Sequence, residues 1–487
     1  MDFLDPQKQK RHAIRLAIGY AIIGLVLVLA TTILLYQAYG FGIDRNGKVI
    51  QNGLVFVTSQ PSGADIYLNS KRYKDRTNTR VTTPAGQYIA EVRKDGYRTW
   101  RRVITVEGGF VERFDYTFLF PTKLVTATTK QYDAVPVLAS QSADGRWLLV
   151  GANTPNSFDL FDLRDDKPEA KIVSVPDDIL AAGSTTTGWQ TIEWAGDDRH
   201  VILKRTYQKN TTEGSEYLLF DRQSPEQSQN LSVLLGFTPT KIEMRGHNYD
   251  QYFAYDQNSG ELFTATLKKP TPQAYIDKVS NFETDGNTVL YATEQAAPAG
   301  KALIRMRVKD DPAYTLREVP AGSSYLLALA SYDGTPIVGA GAASENKVYV
   351  YQDPLPKLRD ESNPPMVPIE ILKVANPSYL SLSPNARFIM AENSDRFAIY
   401  DVETDKGYAY QAKTAPDAPQ THAAWMDGFH LSYVSGGKLS VFDFDGANPQ
   451  TLNPASPNYL PFFAPDYKNY YAVNAQNELT ATALRVK

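Results

Sequence analysis

Apolar and polar residues are arranged in two ways along this 487-residue chain: one long unbroken apolar run near the start, then many short alternating runs. No residue between Leu16 and Ile43 is charged, and residues 16–36 read LAIGYAIIGLVLVLATTILLY. At about 1.5 Å per helical residue, that run crosses a hydrocarbon layer of roughly 30 Å. A single transmembrane helix is therefore predicted, with its ends at Leu16 and Tyr36. Lys8, Lys10, Arg11 and Arg15 precede it against Asp2 and Asp5, so the positive-inside bias assigns residues 1–15 to a cytoplasmic stub. Tyr36, Tyr39 and Phe41 fall where aromatic rings favour the lipid–water boundary. The competing reading is a cleaved signal peptide. Its apolar region would be about 7–15 residues, and no clean small-x-small site follows.

After a linker at 37–52, the apolar positions alternate with period two between Pro- and Gly-marked turns, the signature of short strands. From residue 121 on, a unit recurs: apolar strand, polar turn, second apolar strand, third strand ending near Asp. It is visible in SQSADGRWLLVGANTPNSFDLFDL, in LSLSPNARFIMAENSDRFAIYDV and in AAWMDGFHLSYVSGGKLSVFDFDG. The turns fall near Asp144, Asp197, Asn248, Asp285, Asp333, Asn385, Asp427 and Asp466. They are about 36 to 53 residues apart, the length of one four-stranded propeller blade. Eight blades are expected, or seven if the weakly marked IEMRGHNYDQYFAYDQNSGELFTATL merges with a neighbour. Only three strands remain after Asn458, and KLVTATT at 123–129 is expected to supply the missing outer strand, closing a ring from both ends.

Composition supports a mainly β chain: 30 Tyr and 21 Phe favour strands, and 31 Gly with 30 Pro supply turns. The absence of cysteine excludes disulfides, thiolate metal sites and Cys nucleophiles. Charge is uneven, with ten basic residues against four acidic ones over 53–106, and 34 against 47 from 107 to the end. The two regions could dock on each other, or the basic one could sit on anionic lipid or wall polymer; ordinary solvated faces are the preferred reading.

The small region carries the turn Pro61, Ser62, Gly63 and Ala64, the strand Ile66-Tyr67-Leu68, Thr83-Pro84, Gly86-x-Tyr88, and Lys94-Asp95-Gly96-Tyr97 followed by Trp100. In these residues it resembles the PEGA domain, from Gly53 to Val106, with Ser62 in the usual Glu place. The resemblance implies a small β-sandwich-like module over 53–120, an extracytoplasmic spacer or ligand-presenting unit without known catalysis. The stretch 69–82 lacks the family's usual glycines, so an irregular central hairpin is expected there. Tyr88, Tyr97 and Trp100 are expected in the core rather than in an exposed aromatic strip, because so small a domain needs large side chains inside. Farther on, LSVFDFDGANPQTLNPASP and SLSPNARFIMAENSDRFAIYDVETDKG resemble the repeat of TolB-type propellers. That likeness bears on fold only.

Candidate chemistry is sparse. His12, His200, His247, His422 and His430 include no HExxH or i, i+4 pair, which argues against a hydrolytic zinc. No GxSxG elbow occurs, and Ser435-Gly436-Gly437-Lys438 lacks the earlier glycine of a phosphate loop, so a hairpin turn is expected. Asp443 and Asp445 before Gly446 are read as a blade turn rather than a calcium loop. Trp147, Trp189, Trp194 and Trp425 are expected between blades rather than along a sugar-binding funnel.

The expectation is a non-enzymatic extracytoplasmic binding or scaffold protein with no cofactor, no metal and no catalytic residue. It is anchored in the cell membrane by one span, meets an envelope protein or glycan, and does not bind nucleic acid. The alternative is a propeller-based hydrolase of envelope polysaccharide or peptide using funnel carboxylates.

Overall fold

The structure is a computed structural model that describes residues 6–38, 40–43, 49–322, 324–360, 366–420 and 422–486. Residues 1–5 of the expected stub, and 39 and 44–48 of the expected linker, lie outside the described residues. The chain is mainly β and falls into two compact units, Met1–Lys123 and Leu124–Arg485.

The first unit opens with a helix, Pro6–Ala38. It starts earlier than the predicted span because Gln, Lys and Arg before Leu16 are good helix formers and extend it past the apolar run. Its Gln9–Tyr36 stretch is long and apolar enough to cross a membrane, as an anchor or as a signal sequence. Tyr36 stacks on Phe41 at 4.7 Å.

Two four-stranded sheets follow. In one, Val49–Val57 is flanked by Phe41–Ile43 and Thr79–Pro84 and pairs in parallel with Val111–Phe114. The other runs Lys71–Arg76, Asp65–Leu68, Gly86–Arg93, Trp100–Val106. Alternate residues of each are buried: Val55, Val57 and Val81 from the first sheet, Ile66, Val92, Trp100 and Ile104 from the second. The period-two pattern fixes this, since neighbouring side chains on a strand point to opposite faces. The hairpin at 69–82 is irregular. Asn69 and Ser70 turn at φ of 47° and 65°, and the register shifts between Asp65 and Tyr67.

Among the described residues, the second unit consists of eight four-stranded antiparallel sheets in chain order. Lys241–Met244, Gln251–Asp256, Glu261–Thr266 and Lys269–Ile276 form a sheet of their own, so the weakly marked repeat is not absorbed by a neighbour. The eighth sheet takes three strands from the end of the chain and one from the start: Glu478–Ala483 pairs with Val125–Gln131.

Each sheet packs its faces on its neighbours. Leu149 and Phe158 of the first sheet meet Trp189, Val201 and Phe220 of the second; Leu148, Val150 and Phe161 meet Phe462, Tyr471 and Leu479 of the eighth. Central strands are therefore buried on both faces and read as apolar runs, as in Trp147–Gly151, His430–Ser435 and Phe388–Asn393. Outer strands such as Val125–Gln131 stay mostly exposed and polar.

Five of the eight recurring polar turns share one construction. The Asp144 carboxylate accepts the Arg146 amide at 2.9 Å and the Ser142 hydroxyl at 2.6 Å; Asn385 plays the same part for Arg387 and Ser383. Asp197, Asp427 and Asp466 accept the amide two residues on as well. Such side-chain-to-backbone bonds substitute for the ladder where the chain reverses. The arginine after the turn then reaches the Asp that ends the third strand: Arg146 to Asp162, Arg199 to Asp221 and Arg387 to Asp401. Charge-assisted pairs of this kind lock the turn to its own sheet.

Candidate functional site

Among the described residues, those singled out in the sequence lie at separate places in the fold, and of them only His247 joins the cluster of titratable groups described below. Pro61, Ser62, Gly63 and Ala64 form a corner rather than a site. The Ala64 amide donates to the Thr77 hydroxyl at 2.9 Å, the Ser59 hydroxyl donates to the Pro61 carbonyl at 2.7 Å, and Lys94 Nζ donates to the Ser62 carbonyl at 2.8 Å. Gly63 sits at φ 75°, which a side chain would strain. Trp100 and Tyr97 are buried, with Trp100 against Phe114 and Tyr116, whereas Tyr88 stays half-buried and donates its hydroxyl to the Pro84 carbonyl.

In the second unit, the Gly436 and Gly437 amides do bind an anion, but it is the chain's own Asp417, at 3.0 and 2.7 Å. Asp443 is buried and accepts from Asn448 at 2.9 Å, while the Asp445 carboxylate accepts the Ala447 amide. Trp189 and Trp194 pack between the first two sheets, and Trp147 lies between the guanidinium groups of Arg146 and Arg222. The indoles of Trp194 and Trp425 each donate to a serine on the neighbouring sheet, Ser140 and Ser381. His200 and His430 are held by Asp197 and Asp427, and His422 stacks on Tyr379 at 3.8 Å. Among the described residues, no group of three or more His, Asp or Glu has the geometry to hold a metal ion.

The polar cavity the sequence did not announce is built from the first strands of three consecutive sheets: Thr185–Trp194, Lys241–Met244 and Asn281–Asp285. Its volume is about 470 Å³, and Glu193, Lys241, Glu243, His247, Glu283 and Asp285 line it. Lys241 Nζ is the hub, 2.7 Å from Glu243, 3.0 Å from Glu283 and 2.8 Å from the Phe282 carbonyl. Glu243 also accepts from the Thr284 hydroxyl at 2.7 Å. Glu193 is held between the Met244 amide at 2.7 Å and His247 Nδ1 at 2.8 Å, and Asp285 accepts from the Ser331 hydroxyl at 2.8 Å.

The electrostatics follow from this wiring. Burial in the concave floor pushes the Glu283 carboxyl up, although 41% of its side chain still meets solvent. Burial works to lower Lys241, but Glu243 and Glu283 outweigh it and its pKa is raised. The bond to Glu193 raises His247, so its imidazolium persists to higher pH than usual. A recurring pattern could have exposed this cavity in the sequence: an apolar residue followed by Glu on the first strand of each repeat, in Ile192-Glu193, Ile242-Glu243 and Phe282-Glu283. It becomes legible only when the three repeats are laid over one another.

Comparison with known proteins identifies one family: residues 52–119 match the PEGA domain. The match runs thirteen residues past Val106, the last of the stretch whose motifs carry the resemblance, and ends one residue short of the 53–120 module expected from it. The reason is structural, since Val111–Phe114 adds a parallel strand beside Val49–Val57 and brings Phe114 and Tyr116 onto Trp100. No curated protein matches the chain. Among solved structures, Hsv2p of Kluyveromyces lactis aligns over 67% of this chain and 100% of its own at 10% identity and a TM-score of 0.40. An uncharacterized protein of Listeria monocytogenes EGD-e aligns over 69% of this chain and 93% of its own at 12% identity and a TM-score of 0.36.

Proposed function

We propose that this chain is a membrane-anchored extracytoplasmic binding and scaffold protein: a cytoplasmic stub, one retained span, a PEGA stalk, and an eight-bladed TolB-like propeller that meets an envelope protein or glycan. The propeller reading takes the eight sheets as blades. It is supported by the pairing of Val125–Gln131 with Glu478–Ala483 and by the packing of the eighth sheet on the first. Lys130 of the returning strand adds an ion pair to Asp159 at 2.7 Å, and Gln131 donates to the Gln476 carbonyl at 2.9 Å. Such closure removes the exposed edges of an open array.

The observation that carries binding over catalysis is the wiring of the 470 Å³ cavity. Its carboxylates are already engaged by Lys241, His247, Thr284 and Ser331. Groups held this way form a rigid, charge-patterned surface, suited to recognising a ligand's polar groups. One feature favours the hydrolase as a second reading: Glu283, held toward its protonated form, shares Lys241 with Glu243, and a general acid beside a carboxylate base is what glycoside hydrolysis requires.

Two measurements test the proposal. Protease added to wall-stripped cells should remove a tag at the carboxyl end and leave the amino end intact; protection of the carboxyl end would refute the topology. The full chain in nanodiscs should retain wall glycan or envelope protein intact, with retention falling in Lys241→Met. Release of cleaved product, lost in both Glu243→Gln and Glu283→Gln, would establish the hydrolase instead.

A further inference from the structure

The second sheet of the Leu124–Arg485 unit is unlike the other seven. Its strands Thr185–Trp194, His200–Lys209 and Thr212–Asp221 are ten residues each, yet its outer strand, Gln229–Asn230, pairs only with Leu218 and Leu219. In the other sheets the outer strand pairs with three to six residues of its neighbour, for instance six between Val125–Gln131 and Glu478–Ala483. Residues 212–217 therefore form an edge that no strand covers among the described residues.

The direction of its backbone groups follows from the hairpin. Lys209 and Thr212 close a two-residue turn, with Asn210 at φ 54°, so Thr212, Gly214 and Glu216 bond inward to His200–Lys209. Glu213, Ser215 and Tyr217 point their amides and carbonyls outward. Two observed bonds agree: the Tyr217 amide donates to the Ser232 hydroxyl at 2.9 Å, and the Ser215 carbonyl accepts from the Thr238 hydroxyl at 3.3 Å. The Glu213 amide and carbonyl and the Ser215 amide are left facing outward.

A groove lies on each side of this edge, and Tyr207, Ser215 and Thr238 line both. One, of about 730 Å³, has an apolar wall of Ile179, Leu180, Val233 and Phe237, and Val233 is 74% exposed. The other, of about 850 Å³, is polar, with Thr187, Lys204, Thr206 and Glu213. Beneath the edge the side chains are closely packed. Arg205 and Glu216 form a buried pair at 2.6 Å, and the Tyr207 ring occupies the space over Gly214, within 2.7 Å of where a Cβ would stand.

We propose that residues 212–217 are a docking edge for an extended peptide segment of a partner protein, which adds a strand there. The free groups are two main-chain amides and one carbonyl at strand spacing, which an extended polypeptide matches and a glycan does not. Side chains of an added strand alternate between its two faces. The bound segment is therefore amphipathic, with one set of residues apolar against Val233 and Phe237 and the other polar against Lys204 and Glu213. This surface is separate from the cavity around Lys241 and does not depend on the membrane topology.

The test pans phage-displayed random linear peptides against the full chain in detergent. Enriched peptides should alternate apolar and polar residues. Synthesised, they should bind the wild type and lose at least about tenfold in affinity, about 1.4 kcal/mol, on Ser215→Pro. That substitution deletes one outward amide while leaving the inward ladder, and proline is tolerated on edge strands. Val233→Asp, on an exposed side chain, should weaken binding similarly, and a peptide N-methylated at alternate amides should not bind even the unaltered chain. Equal binding to Ser215→Pro and the wild type, or tolerance of N-methylation, would overturn the proposal. So would failure of any peptide to enrich, displacement of bound peptide by soluble wall glycan, or dimerisation of the chain that Ser215→Pro abolishes.

Discussion

Replacing Glu216 by alanine strands the Arg205 guanidinium inside the second sheet. Arg205 is 1% and Glu216 4% exposed, and their 2.6 Å contact is one of several bonds. The Glu216 carboxylate also accepts the Asn230 side-chain amide at 2.7 Å and the Ala181 amide at 3.3 Å. Arg205 donates besides to the Thr186 hydroxyl at 2.7 Å and the Ser184 hydroxyl at 3.0 Å. In Glu216→Ala the latter two bonds survive, but the charge loses its counter-ion, the Ala181 amide loses its acceptor, and the Asn230 side-chain amide keeps only the Ile179 carbonyl. Breaking a buried pair from one side costs about 3–5 kcal/mol, because the remaining charge can neither rehydrate nor find a partner. Replacing both partners, Arg205→Met with Glu216→Leu, removes the desolvated charges together and should return to within about 1–2 kcal/mol of wild type. The assay is urea denaturation of the detergent-solubilised chain followed by tryptophan fluorescence, which reports on this sheet through Trp189 and Trp194. A single-variant loss under about 1 kcal/mol, or a double variant as unstable as the single, would refute the argument that desolvation makes this pair indispensable.

Glu392 is buried with its pKa pushed from 4.5 to about 9 by desolvation, against the pull of the Ala423 amide. The folded state thus keeps a proton the unfolded chain releases, so this group's stabilising contribution is full below about pH 4.5 and is lost as pH rises through about 9. Glu392→Gln should flatten that decline, with a gain that grows toward alkaline pH; urea midpoints taken from about pH 5 to 9 with an unchanged slope would contradict it. Glu193→Gln should bring the raised His247 pKa down, read by NMR titration of the imidazole, because the carboxylate bond is the largest cause of the shift. An imidazole that titrates as before would mean another group holds it. Gly53→Ala should destabilise the PEGA unit by about 1–3 kcal/mol, since a Cβ there would stand 2.4 Å from the Glu107 carbonyl oxygen, too close without backbone movement. A thermal melt of the variant superimposing on the wild type would count against that packing.

The parts of this protein that depend on local chemistry could be read directly from its residues. An uninterrupted apolar run defines a membrane-length helix whatever surrounds it. The Asp- and Asn-centred turns also follow from neighbours within a few positions, because their side chains bond backbone two or three residues away. Period-two alternation specifies strands, and the spacing of the turns specifies units of four.

What local chemistry does not contain is the meeting of distant segments. Within the PEGA module, no motif residue marks Val111–Phe114, whose place is decided only when it lies parallel to Val49–Val57, more than fifty residues earlier in the chain. Lys241, Glu243 and Glu283 are ordinary surface charges in the chain and become one wired cavity only when three first strands converge. The uncovered edge at residues 212–217 is likewise invisible in sequence, since it is defined by where Gln229–Asn230 stops pairing rather than by any residue of its own. Pattern dictates which residues form strands; only packing between sheets decides which side chains face one another and which backbone is left open.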